Sequence, residues 1–202
     1  MTSKAKVTRD AVYDLYNAAE RNSVADLKLW AETYGAENID ICRDKYSRTA
    51  LLEACVAGRT AAARVLLDAG ANPDHAASNG LTPLHAAVLG EKLDLLAALL
   101  DAGADIEKKW TDNTPLQQAA AYGHAGVMRL LIDRGADPTC LTTKGETLAE
   151  TVFNDKDGSM AAIANGAASR VFGEKTAKAC TEGAEAPVQV VKKISLRRPP
   201  ST

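Results

Sequence analysis

A single period governs what this chain can fold into. Thr49, Thr82, Thr114 and Thr147 open four similar stretches, "TALLEACVAG", "TPLHAAVLG", "TPLQQAAAYG" and "TLAETVFND", and lie 33, 32 and 33 residues apart. A second marker keeps step: Gly70-Ala71-Asn72, Gly103-Ala104-Asp105 and Gly135-Ala136-Asp137, again 33 and 32 apart. Two independent markers with one period describe an array of similar supersecondary units. A unit of that size has too little apolar surface to fold alone and must stack on its neighbours.

Each unit has the same internal plan. A short apolar segment follows the threonine, and a glycine such as Gly58 or Gly123 breaks it. A second segment then carries pairs on one helical face, Leu95, Leu96, Leu99 and Leu100 in one unit and Val127, Met128, Leu131 and Ile132 in the next. That spacing predicts a buried helical stripe. The Gly-Ala-Asp/Asn ending suits a helix C-terminus, because glycine enters the left-handed region without a Cβ clash. About ten polar residues then return the chain to the next threonine as a hairpin-like loop. Aromatic residues make up only 4% of the chain against 46% hydrophobic overall, so the core must be layered from Ala, Leu, Val and Ile.

The 33-residue period, the T-P-L-H opening at Thr82 and the Gly-Ala-Asp endings resemble the ankyrin-repeat family. The resemblance implies an all-α solenoid of stacked helix-turn-helix units with finger-like loops. It runs from residue 10 to 166 in about five units starting near 10, 46, 79, 111 and 144. The outer two are degenerate caps: the first, "YDLYNAAERNS", has Tyr13 in the threonine place but keeps Leu15 and Ala18-Ala19, and the last loses its Pro, His and Gly-Ala-Asp. Residues 1–9 read as an N-terminal arm, 167–186 as a further short helix contacting through Val171 and Phe172, and 187–202 as a basic tail. Tyr13, Tyr16, Trp30 and Tyr34 are expected to fill the amino-terminal end of the stack.

In the family, the T-P-L-H histidine ties backbone and threonine groups together, so the resemblance gives His85 a structural role. Two units replace it, with Leu52 and Gln117, which leaves no catalytic array. His124 begins a second helix and His75 sits in a loop. The four cysteines (Cys42, Cys55, Cys140, Cys180) are scattered without a C-x-x-C pair and read as reduced thiols. They show no zinc spacing, nothing in the sequence brings a Cys and a His into reach of each other, and no phosphate-binding G-x-x-x-x-G-K loop is present. No enzyme activity, metal or cofactor is expected.

The resemblance implies protein–protein recognition through a concave face of loop tips and exposed sides of the first helices. Its variable places fall here on Tyr46, Arg48, Leu81, Leu89, Trp110, Asn113, Tyr122 and Lys144, among others. The finger from Gly103 to Thr114 is one residue short and has Asp112-Asn113 where a glycine is usual, and Gly90 comes one place early. The slots around Trp110 and Leu89 are shifted accordingly. Tyr, Trp and Arg are the types most enriched at interface hot spots, so Tyr46, Trp110 and Tyr122 are the expected anchors, with Arg48 beside them.

A net charge of −2 and mixed-charge tips argue against nucleic acid. No apolar run approaches a membrane span, and the start "MTSKAKVTRD" has no signal-peptide core, which points to a cytoplasmic protein, with the nucleus as the alternative. The tail carries Lys192, Lys193, Arg197 and Arg198 around an alternating Val188, Val190, Ile194 and Leu196. It reads as a flexible segment, or as a docking strand that orders on a partner. Lys192-Lys193-Ile194-Ser195 makes Ser195 a candidate phosphosite. The expected protein is a monomeric adaptor or scaffold. The alternatives are an inhibitor or assembly chaperone that masks a partner surface, and a structural subunit anchored in a large assembly by its tail.

Overall fold

The computed structural model describes residues 6–43, 45–139, 148 and 163–167. Among the described residues up to 139, eight α-helices occur in order: α1 (Arg9–Glu20), α2 (Val24–Tyr34), α3 (Ala50–Val56), α4 (Thr60–Asp68), α5 (Pro83–Leu89), α6 (Leu93–Asp101), α7 (Pro115–Tyr122) and α8 (Ala125–Asp133). Residues 163–167 are also helical. The odd-numbered helices pack in one row and the even-numbered in a second, each helix touching its own pair-mate and the same row of the adjoining unit. This is the all-α stacked solenoid that the period demands. Among the described residues the only β pairing is a bridge between Trp110 and Asn113.

The threonines set where the odd helices begin. Thr49, Thr82 and Thr114 have extended backbones, and each side-chain oxygen accepts the amide of the third residue on, Leu52, His85 or Gln117, at 3.3 Å. An N-cap of this kind satisfies one of the four amides that a helix start leaves unpaired. Pro83 and Pro115 occupy the first helical place, where no amide is needed.

The odd row explains the shortage of aromatics. Leu15, Leu51, Leu84 and Leu116 repeat as its large buried residues, while Ala18-Ala19, Ala54-Cys55, Ala86-Ala87 and Ala119-Ala120 are its small ones. Alternation of Leu with small residues lets short helices lie close in thin layers at native packing density. In the even row, Leu95, Leu96 and Leu99 and their counterparts Val127, Met128 and Leu131 are wholly buried. Leu100 and Ile132, the fourth of each set, are only half-buried at the edge.

Three of the even helices end alike. Gly70, Gly103 and Gly135 have φ of +90°, +87° and +95°. The alanine after each donates to the carbonyl five residues back, as Ala104 N–H does to Leu99 at 3.0 Å. A Cβ on any of these glycines would meet nothing within 4 Å, so conformation alone requires glycine there.

The residue that follows does two jobs. Asn72, Asp105 and Asp137 each turn a side-chain oxygen onto the amide two residues on, which starts the finger. Their own amides donate to a carboxylate of the preceding finger: Asp40 at 3.0 Å, Asp74 at 2.9 Å and Glu107 at 2.8 Å. The units are thus stitched by charge-assisted hydrogen bonds as well as by apolar packing.

The first unit departs from the expected boundaries. Its helix is capped by Thr8, which accepts Ala11 N–H at 3.2 Å, and runs for 12 residues against seven for α3. Val7 packs on the core, so residues 7–9 belong to the stack rather than to a free arm. Tyr13, in the period's threonine place, sits mid-helix and is 50% exposed; it does not fill the end of the stack. Tyr16 and Trp30 do fill it, and Trp30 Nε1 donates to the Ala11 carbonyl at 2.6 Å. Of the unit expected from 144, the described residues are Leu148, buried, and helical 163–167. The further helix at 167–186 and the tail at 187–202 lie outside the described residues, apart from Ala167.

Candidate protein-binding face

His85 is wholly buried, with Nδ1 2.7 Å from the Thr82 hydroxyl. Its Nε2 has no partner in hydrogen-bond geometry, and the Asn113 backbone acts on it only as a weak offset. Burial therefore pushes the imidazole down to about 4, which keeps it neutral. Gln117 reaches the same end by amide chemistry, its Oε1 accepting Thr114 N–H at 2.9 Å to complete a capping box. A histidine sealed under the next finger and replaceable by glutamine is a fastener, with no access to a substrate.

The first finger is pinned from below. The Tyr16 hydroxyl donates to the Arg48 carbonyl, has the Ile41 carbonyl 3.1 Å away, and accepts Arg43 N–H at 3.0 Å. Burial pushes this phenol well above its ordinary value. Arg48 reaches Glu53 at 3.1 Å and Arg43 reaches the same carboxylate oxygen at 3.7 Å. Arg48 is therefore already engaged within its own unit, which makes it less available as an interface anchor than its slot implies.

The expected anchors fare differently. Tyr46 is 53% exposed with Lys45 Nζ 5.2 Å above its ring, and Tyr122 is 60% exposed at the end of α7, stacked on His124. Trp110 is half-buried. Its Nε1 donates to the Asn79 carbonyl at 3.0 Å, and its ring lies 5.9 Å from that of His85. The cause is the shortened finger: Thr111 and Asp112 turn at φ of +49° and +69°, which folds Trp110 back onto Asn113 and across the preceding finger. Trp110, expected as an anchor in an exposed slot, is thus half-buried, and its indole helps join two fingers. Leu81, Leu89 and Asn113 are also half-buried, Leu81 against the core. Lys144 and Ser195 lie outside the described residues.

The sequence profile of ankyrin repeats, in three copies, matches residues 15–110 and 70–142, more than half of the chain. The chain is an ankyrin-repeat protein. It is similar to human ankyrin repeat and KH domain-containing protein 1, 41% identical over 102 residues, covering 49% of this chain and 4% of that one. Human ankyrin repeat and SOCS box protein 16 is 34% identical over 138 residues, covering 67% of this chain and 30% of that one. A third relative, the Caenorhabditis elegans homolog of transient receptor potential cation channel subfamily A member 1, is 34% identical over 107 residues, covering 53% and 9%. The chain thus spans under a third of the length of each of these relatives.

Ankyrin repeats are protein–protein interaction modules. Among the described residues no helix is long and apolar enough to cross a membrane, and no group of three or more His, Cys, Asp or Glu is placed to hold a metal ion. One feature of this ankyrin-repeat protein runs against the sequence reading. Cys42 Sγ and His75 Nε2, in neighbouring fingers, are 3.6 Å apart. The two residues are 33 apart in sequence, one repeat period, so the period itself held the signal. Cys140 and Cys180 lie outside the described residues.

Proposed function

We propose that this ankyrin-repeat protein is a non-enzymatic adaptor, monomeric and cytoplasmic, that binds partner proteins through the face made by its finger tips and odd-row helices. The observation that carries this reading is the pair Tyr46 and Tyr122, two large aromatics more than half exposed in a chain that otherwise uses few. Val56, 56% exposed at the end of α3, adds apolar area one place before the one that corresponds to Tyr122. Large apolar groups left uncovered in this way are the raw material of interface hot spots. Similar proteins carry a KH domain or a SOCS box by name, which fits a repeat array serving as the binding module of a larger activity.

The test is a pull-down followed by titration of the recovered partner. Hot spots lose 2 kcal/mol or more on truncation, which is about thirtyfold in affinity. Tyr46→Ala and Tyr122→Ala should each weaken binding by about that factor at unchanged melting temperature, whereas Trp110→Ala should change both. Deletion of residues 187–202 should leave affinity intact. Full-strength binding by both tyrosine variants, with loss on the deletion, would replace this reading with a tail-anchored subunit.

A further inference from the structure

Cys42 and His75 come from separate fingers, the first between α2 and α3 and the second between α4 and α5. Both are partly open to solvent. Among the acceptors near the thiol are the His75 ring nitrogen at 3.6 Å and the Asp40 carbonyl at 3.7 Å. Imidazole is the basic one, and thiolate is the reactive form of cysteine. Charged groups lie around the pair. The Asp40 carboxylate is taken by Asn72 N–H and the Asp74 carboxylate by Asp105 N–H, with Lys108 Nζ on the Asp74 carbonyl. Arg43 lies over the Tyr16 ring at 4.7 Å and adds positive charge on that side, partly offset by Glu53. Tyr16 is held neutral by burial.

We propose that Cys42 is a nucleophilic thiol site, with His75 as its proton acceptor, and that it is modified by small soft electrophiles such as hydroperoxides. The Cys42 proton passes to His75 Nε2, and the thiolate attacks the distal peroxide oxygen. An S–O bond forms as the O–O bond breaks; sulfur gives up two electrons and the peroxide is reduced. The imidazolium returns its proton to the departing alkoxide or hydroxide, so the products are a sulfenic acid and an alcohol or water. Cys55 supplies an internal contrast: it is 1% exposed, and burial alone pushes its thiol up. This inference is independent of the adaptor reading, since it needs no partner.

The full chain is alkylated with iodoacetamide, which the thiolate attacks with loss of iodide, and each cysteine is followed by peptide mass spectrometry. An unassisted thiol gains about fiftyfold in thiolate between about pH 6.5 and 8.5. Cys42 in the wild type should gain about tenfold or less. His75→Gln should lower the Cys42 rate at the lower pH by about threefold, because a tenfold loss of thiolate is partly offset by higher intrinsic nucleophilicity. After hydrogen peroxide, dimedone should trap a sulfenic acid on Cys42 and leave Cys55 untouched. A fiftyfold pH response in the wild type overturns the proposal without any variant. So does an unchanged rate in a folded His75→Gln, or absence of the dimedone adduct from Cys42.

Discussion

Replacing His85 by glutamine would turn the cap of α5 into the cap of α7, since Gln117 already fills that place with its Oε1 on Thr114 N–H. At neutral pH the exchange removes the bond between the imidazole and the Thr82 hydroxyl and offers an amide in return. The net cost should stay near or below about 1 kcal/mol. On acidification the two proteins part. Burial holds His85 down to about 4 against an ordinary 6.5, so between those values the unfolded chain binds a proton that the folded chain refuses. Its contribution to stability is therefore complete above about pH 6.5 and is lost as the pH falls toward 4, at about 1.36 kcal/mol per pH unit. At about pH 5 the wild type should have lost about 2 kcal/mol from this source, and about 3 kcal/mol at the lower end. Every other group is common to the two proteins and cancels in the difference. His85→Gln should thus be marginally less stable than wild type at about pH 7.5 and more stable by about 1 kcal/mol at about pH 5. Urea unfolding followed by circular dichroism across that range reads the difference directly. A difference that stays flat with pH would refute the claim that this imidazole is buried neutral.

Three further outcomes follow from the packing. Leu99→Ala should cost about 2–5 kcal/mol, and hydrogen exchange should report loosening in α4 and α8 as well as α6, because repeats couple to their neighbours; a wild-type melting curve would count against the assignment. Asp74→Ala should cost about 1–2 kcal/mol by leaving Asp105 N–H without its acceptor, and no change in the urea midpoint would show that stitch to be idle. Thr111→Asn together with Asp112→Gly should raise stability by about 0.5–1 kcal/mol, since both residues turn at positive φ and Asn-Gly suits such a two-residue loop; a lower melting temperature would mean that the turn is held by side-chain contacts instead.

Much of the fold was legible because the period marks chemical necessities. A helix start needs an oxygen for its amides and a left-handed helix end needs glycine, so Thr49, Thr82, Thr114 and the Gly-Ala endings announced where each helix pair begins and ends. The first unit escaped because α1 starts five residues before the period's place, at Thr8 instead of Tyr13. Its buried register, Leu15 with Ala18 and Ala19, was still readable, since burial depends on the stack and not on where the helix begins. The proposed binding face was less legible. Counting slots assumes fingers of equal length, and one missing residue folded Trp110 inward; Arg48 was spoken for by Glu53, a contact no spacing rule encodes. Cys42 and His75 were visible in principle, one period apart, but only to a reader who treats equal places in adjoining units as neighbours.

The two rows of helices have a consequence for how this molecule comes apart. Each substantial contact among the described helices lies within a unit or between adjoining ones, so none of these helices waits on closure of a long loop before it can form. The native state has no keystone. Unzipping can start at whichever end is weaker and stall at any seam, leaving a shorter stack that is still ordered. The carboxylates that stitch the seams sit at Asp40, Asp74 and Glu107, and the corresponding place in the next finger is Thr139, whose hydroxyl is spent on Asp137. Among the described residues these three carboxylates close three successive seams with the same kind of bond, so no one of those seams is marked out in advance as the place where the stack must part.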